Sequence, residues 1–284
     1  MRRVLVTGAT GYIASQMLDD FRRRYELVLV DAKDRDRDGH TVPGVRTIDL
    51  AHLDPEGYRE LFDGVRTVVH LAYKHGDRTD MRRGYADERD NVDLAFEIYQ
   101  AAFETGVERV VVASSNHAAD WYETLIRDRL LEMLTPHHRP LSDNWYGWAK
   151  EAYEHLGFVF ASGSYGRKLP VVHVRIGAPR PIVRDSYGDD AAWYKRDLGA
   201  YISPRDLSQL FCRAIDAPSI DNEHGVPFLV VYGISNNTRA FWSIADARSV
   251  LGYAPEDDSE IVFQEDIAAW LMKPPGSPGK VGTR

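Results

Sequence analysis

A single cysteine, Cys212, occurs in 284 residues, so no intrachain disulfide can form, and a reducing, cytoplasmic setting fits that count. No apolar run approaches the roughly 20 residues that a membrane-spanning helix needs. Basic charge is in deficit: 35 Lys and Arg stand against 43 Asp and Glu, for a net charge of -8. Such a balance argues against a nucleic-acid or anionic-membrane partner, which would call for a basic face. Met1-Arg2-Arg3 opens faintly like a signal peptide, but the apolar stretch stops at Thr7-Gly8, too short for an h-region. Internal repeats are absent. His137-His138 has no partner at metal-ligand spacing, and Cys212 in Leu210-Phe211-Cys212 reads as a small core residue, so no metal site is expected.

What is present is the composition of a globular chain: 44% hydrophobic residues, enough for a sizeable core. Short continuous apolar runs at 4–6, 27–30, 45–48, 65–71, 109–113 and 171–176 read as strands buried on both faces. Helical patterns at 12–24, 55–62, 91–104 and 146–160 lie between them. Strand alternating with helix predicts βαβ units and a doubly wound parallel sheet, an α/β fold of Rossmann type. After Arg175 the alternation degrades into helices at 207–215 and 244–251 and a strand at 228–232. The expected organisation is a dinucleotide-binding domain over 1–177 and a smaller substrate-binding lobe with a returning strand over 178–272. A disordered tail over 273–284 completes it, Pro- and Gly-rich from Lys273 to Gly279.

The run Thr7-Gly8-Ala9-Thr10-Gly11-Tyr12-Ile13-Ala14 follows a strand and opens a helix. Gly8 permits a tight turn, and Gly11 lets the backbone approach a pyrophosphate at a helix N-terminus. With Thr10, Tyr12 and Ile13, these form the candidate phosphate loop; Ala14 stands where a third glycine is usual. Asp31 closes the second strand, where a carboxylate accepts ribose hydroxyls and repels a 2′-phosphate, favouring NAD over NADP. Lys33, Arg35 and Arg37 lie close enough to blur that preference. Asp49-Leu50 is positioned to set a carboxylate near the adenine amine and an apolar wall beside the ring.

Tyr146 and Lys150 are spaced i, i+4, on one helical face. A tyrosine of reference pKa about 10 is a poor base at neutral pH, but a nearby ammonium and a positively charged nicotinamide favour its phenolate. The order phosphate loop, acidic strand end, Ser114-Ser115, then Tyr146 and Lys150 resembles the extended short-chain dehydrogenases/reductases, the NAD-dependent epimerase/dehydratase superfamily. Further motifs are Asp49-Leu50, His70-Leu71-Ala72 and Asn91-Val92, and together they cover roughly residues 4–180. Ala113-Ser114-Ser115-Asn116-His117 and Arg175-Ile176-Gly177 are most like the uronate dehydrogenase branch. That likeness implies oxidation of C1 of a hexuronic acid or related aldose to a lactone with NAD.

Carried over, Tyr146 is the base, Ser115 bonds the reacting hydroxyl and Lys150 holds the ribose. Leu71, Ala72, Asn91 and Ile176 join the cofactor set. Asn116 and His117 would contact sugar hydroxyls, and His75, which the branch does not share, is a further substrate-binding candidate. Arg196 stands at matching distance before Tyr201-Ile202-Ser203 and would hold the substrate carboxylate, although Lys195-Arg196-Asp197 also reads as a solvated charge run. His70 reads as structural. The resemblance also implies a homodimer through the helix carrying Trp148, Tyr153, Leu156 and Val159. Departures are Tyr73-Lys74-His75 where the branch is small and polar, Ala178 for a serine, and insertions at 122–143 and 178–195 near the site mouth. The first insertion is expected to be a lid with a short amphipathic helix through Leu125, Ile126, Leu130, Leu131 and Leu134. The main alternative is a nucleotide-sugar epimerase or dehydratase that retains its NAD. Against a dehydratase, Asn116-His117 stands where an Asp-Glu pair is usual. A non-catalytic dinucleotide sensor, the third reading, would commonly have lost the Tyr/Lys pair.

Overall fold

The computed structural model describes residues 1–76 and 79–271. Seven strands, β1 (Arg3–Thr7), β2 (Glu26–Asp31), β3 (Val45–Thr47), β4 (Thr67–His70), β5 (Arg109–Ser115), β6 (Val171–Ile176) and β7 (Phe228–Gly233), make one parallel sheet. Their order is β3-β2-β1-β4-β5-β6-β7, the doubly wound arrangement expected of the βαβ pattern. The helices are α1 (Tyr12–Ser15), α2 (Leu18–Arg24), α3 (Pro55–Phe62), α4 (Met81–Glu104), α5 (Tyr122–Arg127) and α6 (Trp145–Ala161). They continue with α7 (Ala191–Ala200), α8 (Pro204–Asp216), α9 (Ala245–Leu251), α10 (Ser259–Val262) and α11 (Gln264–Leu271).

The continuous apolar strands are explained by helices on both faces. Val4 and Val6 share one core with Phe21, Leu210 and Phe211, whereas Leu5 shares the other with Phe62, Ile98 and Tyr99. Successive side chains of β1 therefore enter opposite cores, and neither can be polar. Cys212 is buried in the first core. A third core joins Leu134, Ile182, Tyr194, Leu198, Trp242 and Ile267 over the C-terminal end of the sheet.

Several boundaries differ from the sequence expectations. The helix over 12–24 is two helices, because the chain breaks at Gln16-Met17, where Met17 is buried and Gln16 Nε2 donates to the Pro179 carbonyl at 3.0 Å. Helix α4 begins ten residues before Asn91, since Asp80 caps it by accepting from Arg83 N at 2.8 Å. The strand near 228–232 is the last of the sheet, Phe228–Gly233, and pairs with β6 along its length. The helix in the insertion ends at Arg127, Leu130 is exposed, and Leu134 pairs with Trp242 in the third core. Tyr153, expected on a dimer face, is 1% exposed and packs inside the chain. Among the described residues no helix is long and apolar enough to cross a membrane. The expected tail over 273–284 lies outside the described residues.

Candidate active site

Gly8 has φ 70, and a Cβ there would stand 2.6 Å from Ala72 N and 2.7 Å from the Leu71 carbonyl carbon. Both the left-handed backbone and the close approach of two chain segments thus demand glycine. Gly11 caps α1, and its amide donates to the Gly8 carbonyl at 3.0 Å. The Thr10 amide donates to Asp31 Oδ2 at 2.9 Å, which ties the loop to the end of β2. Thr10 Oγ1 is buried without a partner among the described residues. Tyr12 and Ile13 form the first turn of α1, and Arg37 lies over the Tyr12 ring at 4.0 Å. Ala14, in place of a glycine, puts its methyl into the core at 1% exposure. An orphaned hydroxyl, a cradle closed to any Cβ and a carboxylate at the neighbouring strand end fit a dinucleotide.

The flanking residues also make contacts within the chain. Leu50 is 6% exposed and lies in the core, while Asp49 accepts from Ala51 N at 3.1 Å and contacts His52 Nδ1 at 2.9 Å. The Leu71 and Ala72 amides both reach Thr7 Oγ1, each at 3.3 Å, and Thr7 Oγ1 also meets His70 Nδ1 at 2.8 Å. His70 is thus structural in this geometry, and burial pushes it down to about 3, leaving it neutral. Asn91 pins a loop: its Oδ1 accepts from Lys74 N at 2.9 Å and its Nδ2 donates to Lys74 O at 2.8 Å. Both ends of its amide engage the Lys74 backbone. Ile176, 6% exposed, ends β6 opposite Ser115 and Gly233.

Ser115 ends β5 and accepts from His117 N at 3.2 Å, so it caps the short 3-10 turn Asn116–Ala119. Asn116 is buried and its Nδ2 lacks a partner among the described residues. Asn144 caps α6 by accepting from Gly147 N at 2.9 Å, which starts the helix directly over that turn. Tyr146 lies in the first turn of α6, with the His117 ring edge-on at 5.7 Å. One turn on, Lys150 Nζ donates to the Ala113 carbonyl at 3.1 Å and lies 5.5 Å from the Tyr146 ring centroid. Burial pushes the Lys150 ammonium down to about 8, opposed by the carboxylates of Glu88 and Glu154. It remains mainly charged at neutral pH, as support of a phenolate requires.

Two carboxylates that the sequence reading missed surround this lysine. Glu154, one helical turn beyond Lys150, takes Arg175 Nε at 2.8 Å and Nη2 at 2.7 Å, and Ser114 Oγ at 2.8 Å. The i, i+4 spacing of Lys150 and Glu154 was the available signal. Glu88 is 4% exposed and accepts from the Tyr73 hydroxyl, whose ring stands edge-on to Tyr146 at 5.3 Å. Nothing in the local pattern marks Glu88, since its partner comes from another segment.

Two cavities meet at His117. One, of about 770 Å³, is lined by Glu88, Ser142, Asn144, Tyr146 and Trp148; the other, of about 820 Å³, by Glu123, Arg127, Trp193, Arg196 and Phe241. His117 Nδ1 contacts Asp120 Oδ2 at 3.0 Å, and Asn144 Nδ2 donates to the same oxygen at 2.8 Å. His75 is exposed, stacks edge-on against Tyr73 and lines neither cavity. Arg196 reaches the second cavity, but not as an open fork. Its Nε and Nη2 donate to Glu123 at 2.9 and 2.6 Å, and its Nη1 to Asp197 at 2.9 Å. The charge run 195–197 is therefore not a solvated loop but part of α7, with Asp197 fully buried.

A model of the NAD dependent epimerase/dehydratase family matches residues 4–175. The chain is 34% identical over 272 residues to a NAD-dependent glucose-6-phosphate dehydrogenase of Haloferax volcanii, covering 92% of this chain and 96% of that one. It is 29% identical over 281 residues to a uronate dehydrogenase of Pseudomonas syringae pv. tomato, covering 98% and 90%. Among solved structures, a mutant uronate dehydrogenase from Agrobacterium tumefaciens complexed with NAD superimposes with a TM-score of 0.72 at 26% identity, covering 98% of this chain and 92% of that one.

Proposed function

The chain belongs to the NAD-dependent epimerase/dehydratase family, and within it we propose the oxidation of the C1 hydroxyl of a sugar to a lactone. The observation that carries this reading is the placement of Tyr146 and Lys150 on the first turns of α6, packed on the end of β5 beside an open cavity. Relatives named for a sugar phosphate and for a uronate supply the substrate class. The cofactor is NAD, and the glycine cradle, Thr10 and Asp31 are the residues that hold it. NAD, when bound, supplies the acceptor for the C1 hydrogen and its electron pair.

The chain's own work is to position the sugar and move one proton. Ser115 Oγ bonds the C1 hydroxyl, and the Tyr146 phenolate takes its proton as the C1–O bond becomes a carbonyl. Lys150, charged and pinned to Ala113, holds the phenolate and the ribose. Asn116 Nδ2, a buried donor without a partner among the described residues, and His117 on the rim contact ring hydroxyls. The resemblance implies a homodimer through α6, and Trp145 and Phe158 on that helix, with Tyr85 and Phe96 on α4, are exposed apolar side chains that such a contact would cover.

The test is NADH formation across aldoses, aldose phosphates and uronic acids. Wild-type protein reduces NAD with at least one class. Tyr146→Phe loses at least the roughly 10²-fold typical of a general base while NAD binding is kept. Turnover of a nucleotide sugar with no net NADH overturns the reading in favour of a cofactor-retaining epimerase.

A further inference from the structure

We propose that Glu123 is the specificity-determining residue of this site: it fills the Arg196 fork from within the chain and sets the cavity for a sugar that carries no carboxylate. The inference rests on the sugar-oxidising reading above and names the substrate class within it.

Glu123 comes from α5 and Arg196 from α7, and both line the cavity that begins at His117. The contact is two parallel bonds, Nε to Oε2 at 2.9 Å and Nη2 to Oε1 at 2.6 Å. This is the side-on pairing by which a guanidinium takes any carboxylate. Glu123 therefore occupies the edge of Arg196 that an acidic substrate would need. The third nitrogen is also taken, because Nη1 donates to Asp197 Oδ1 at 2.9 Å. Asp197 in turn receives Arg180 Nη2 and the Tyr187 hydroxyl on its other oxygen, each at 2.6 Å.

The charges next to Arg196 are matched. Arg180 and Arg196 are matched by Glu123 and Asp197, and Arg239 nearby is paired with Glu260. Asp120, Asp143 and Asp190 also line the cavity, while Arg127 and Lys195 are exposed at its rim, where solvent screens them. A substrate carboxylate reaching Arg196 meets a negative charge already in place.

The Glu123–Arg196 pair is also largely withdrawn from water, with side chains 15% and 12% exposed and Trp193 and Trp242 rings 5.5 and 5.2 Å from the guanidinium carbon. Burial of such a pair is seldom a gain over apolar packing. Its presence on a cavity wall is therefore better accounted for by selectivity than by stability.

The experiment compares sugars that differ only at C6, glucose with glucuronate and galactose with galacturonate, on wild type, Glu123→Ala, Glu123→Gln and the double variant Glu123→Ala/Arg196→Met. Wild type is expected to favour the neutral member of each pair. Opening the fork in Glu123→Ala raises the acid-to-neutral ratio of kcat/KM at least tenfold, the scale of one charged hydrogen bond. The double variant cancels that gain, which a general loosening of the fold would not do. Glu123→Gln, which keeps the shape and removes the charge, shifts the ratio in the same direction and serves if the alanine variant does not fold. A wild type that prefers the uronates, or a ratio unchanged in both single variants, overturns the proposal. Should no sugar be oxidised at all, the activity reading fails separately. Quenching of tryptophan fluorescence by glucuronate, seen in Glu123→Gln and absent in wild type, still decides the role of Glu123, and equal quenching in both rejects it.

Discussion

The His117 carbonyl oxygen lies against the α-carbon of Gly147 so closely that a Cβ there would overlap it, and Ser142 Oγ closes the same space. Glycine at this position is what lets the first turn of α6 sit on the end of β5, where Ser115 and His117 are. Alanine must push the helix start, and Tyr146 with it, away from Ser115. A displacement of about 1 Å at reacting groups costs on the order of 10²-fold in rate, so Gly147→Ala is expected to lower kcat by that factor. Overpacking costs about 1–3 kcal/mol of stability in addition. Steady-state kinetics and urea unfolding on the same preparation check both numbers; unchanged kcat would show that the helix start does not position the base.

The lysine beneath that tyrosine is expected to give the proposed activity an alkaline edge. Lys150 is charged below about pH 8 and loses its proton above it, because burial disfavours the ammonium. In the proposed mechanism Tyr146 works in the deprotonated state, as phenolate, whereas Lys150 must keep its proton. The kcat profile at saturating NAD is therefore expected to rise with pH and then turn down as pH passes about 8. An arginine keeps its charge throughout this range, so Lys150→Arg, slower overall for want of the Ala113 contact, shows no downturn. The same alkaline limb in both proteins would assign it to another group.

At the other end of the proposed cofactor cradle, Asp31 has one observed and one proposed role, which a careful substitution separates. Its Oδ2 accepts from the Thr10 amide, and its charge opposes a 2′-phosphate. Asp31→Asn keeps an acceptor for Thr10 and removes the charge. The ratio of NADP to NAD in kcat/KM is expected to rise about tenfold or more, the scale of a charged hydrogen bond. Arg37, already over the Tyr12 ring, is the cation placed to take the phosphate. An unchanged ratio in parallel assays with both cofactors would move discrimination away from Asp31.

How much of this was legible follows from where each residue finds its partner. The buried strands announce themselves because both faces of the sheet are covered, and Val171–Ile176 and Pro55–Phe62 have the bounds expected from their patterns. Asp54 before Pro55 is a local cap signal, and local signals are readable. Tyr146 and Lys150 were visible for the same reason, since one helical turn joins them. Glu88 was not, nor were the partners of Asn91 and Arg196. The groups these three engage, Tyr73, Lys74 and Glu123, lie in other segments, and only the fold decides that Asn91 ties a loop or that Arg196 is closed. Helix α7 was obscured likewise: Lys195-Arg196-Asp197 looks solvated until Arg180 and Tyr187 are brought to Asp197.

Two histidines buried in the sheet region make the fold acid-sensitive. His70 and His173 are fully enclosed, and burial pushes them down to about 3 and about 4, from 6.5 in the unfolded chain. Both are neutral in the folded protein, and His173 Nε2 meets the Tyr99 hydroxyl at 3.1 Å. Below pH 6.5 the unfolded chain binds two protons that the folded chain refuses, so stability present above 6.5 is lost as pH falls towards the folded values. Each group contributes about 1.4 kcal/mol per pH unit, and the pair roughly 2–3. Glu154 does not share this window. Burial raises it, but Arg175 more than compensates and holds it below the ordinary carboxylate range, so its contribution persists until pH falls further. Urea unfolding between pH 7 and pH 5 is expected to show that slope, and His173→Gln, whatever its own cost, is expected to halve it. A slope of two protons retained in the variant would place the acid sensitivity in other groups.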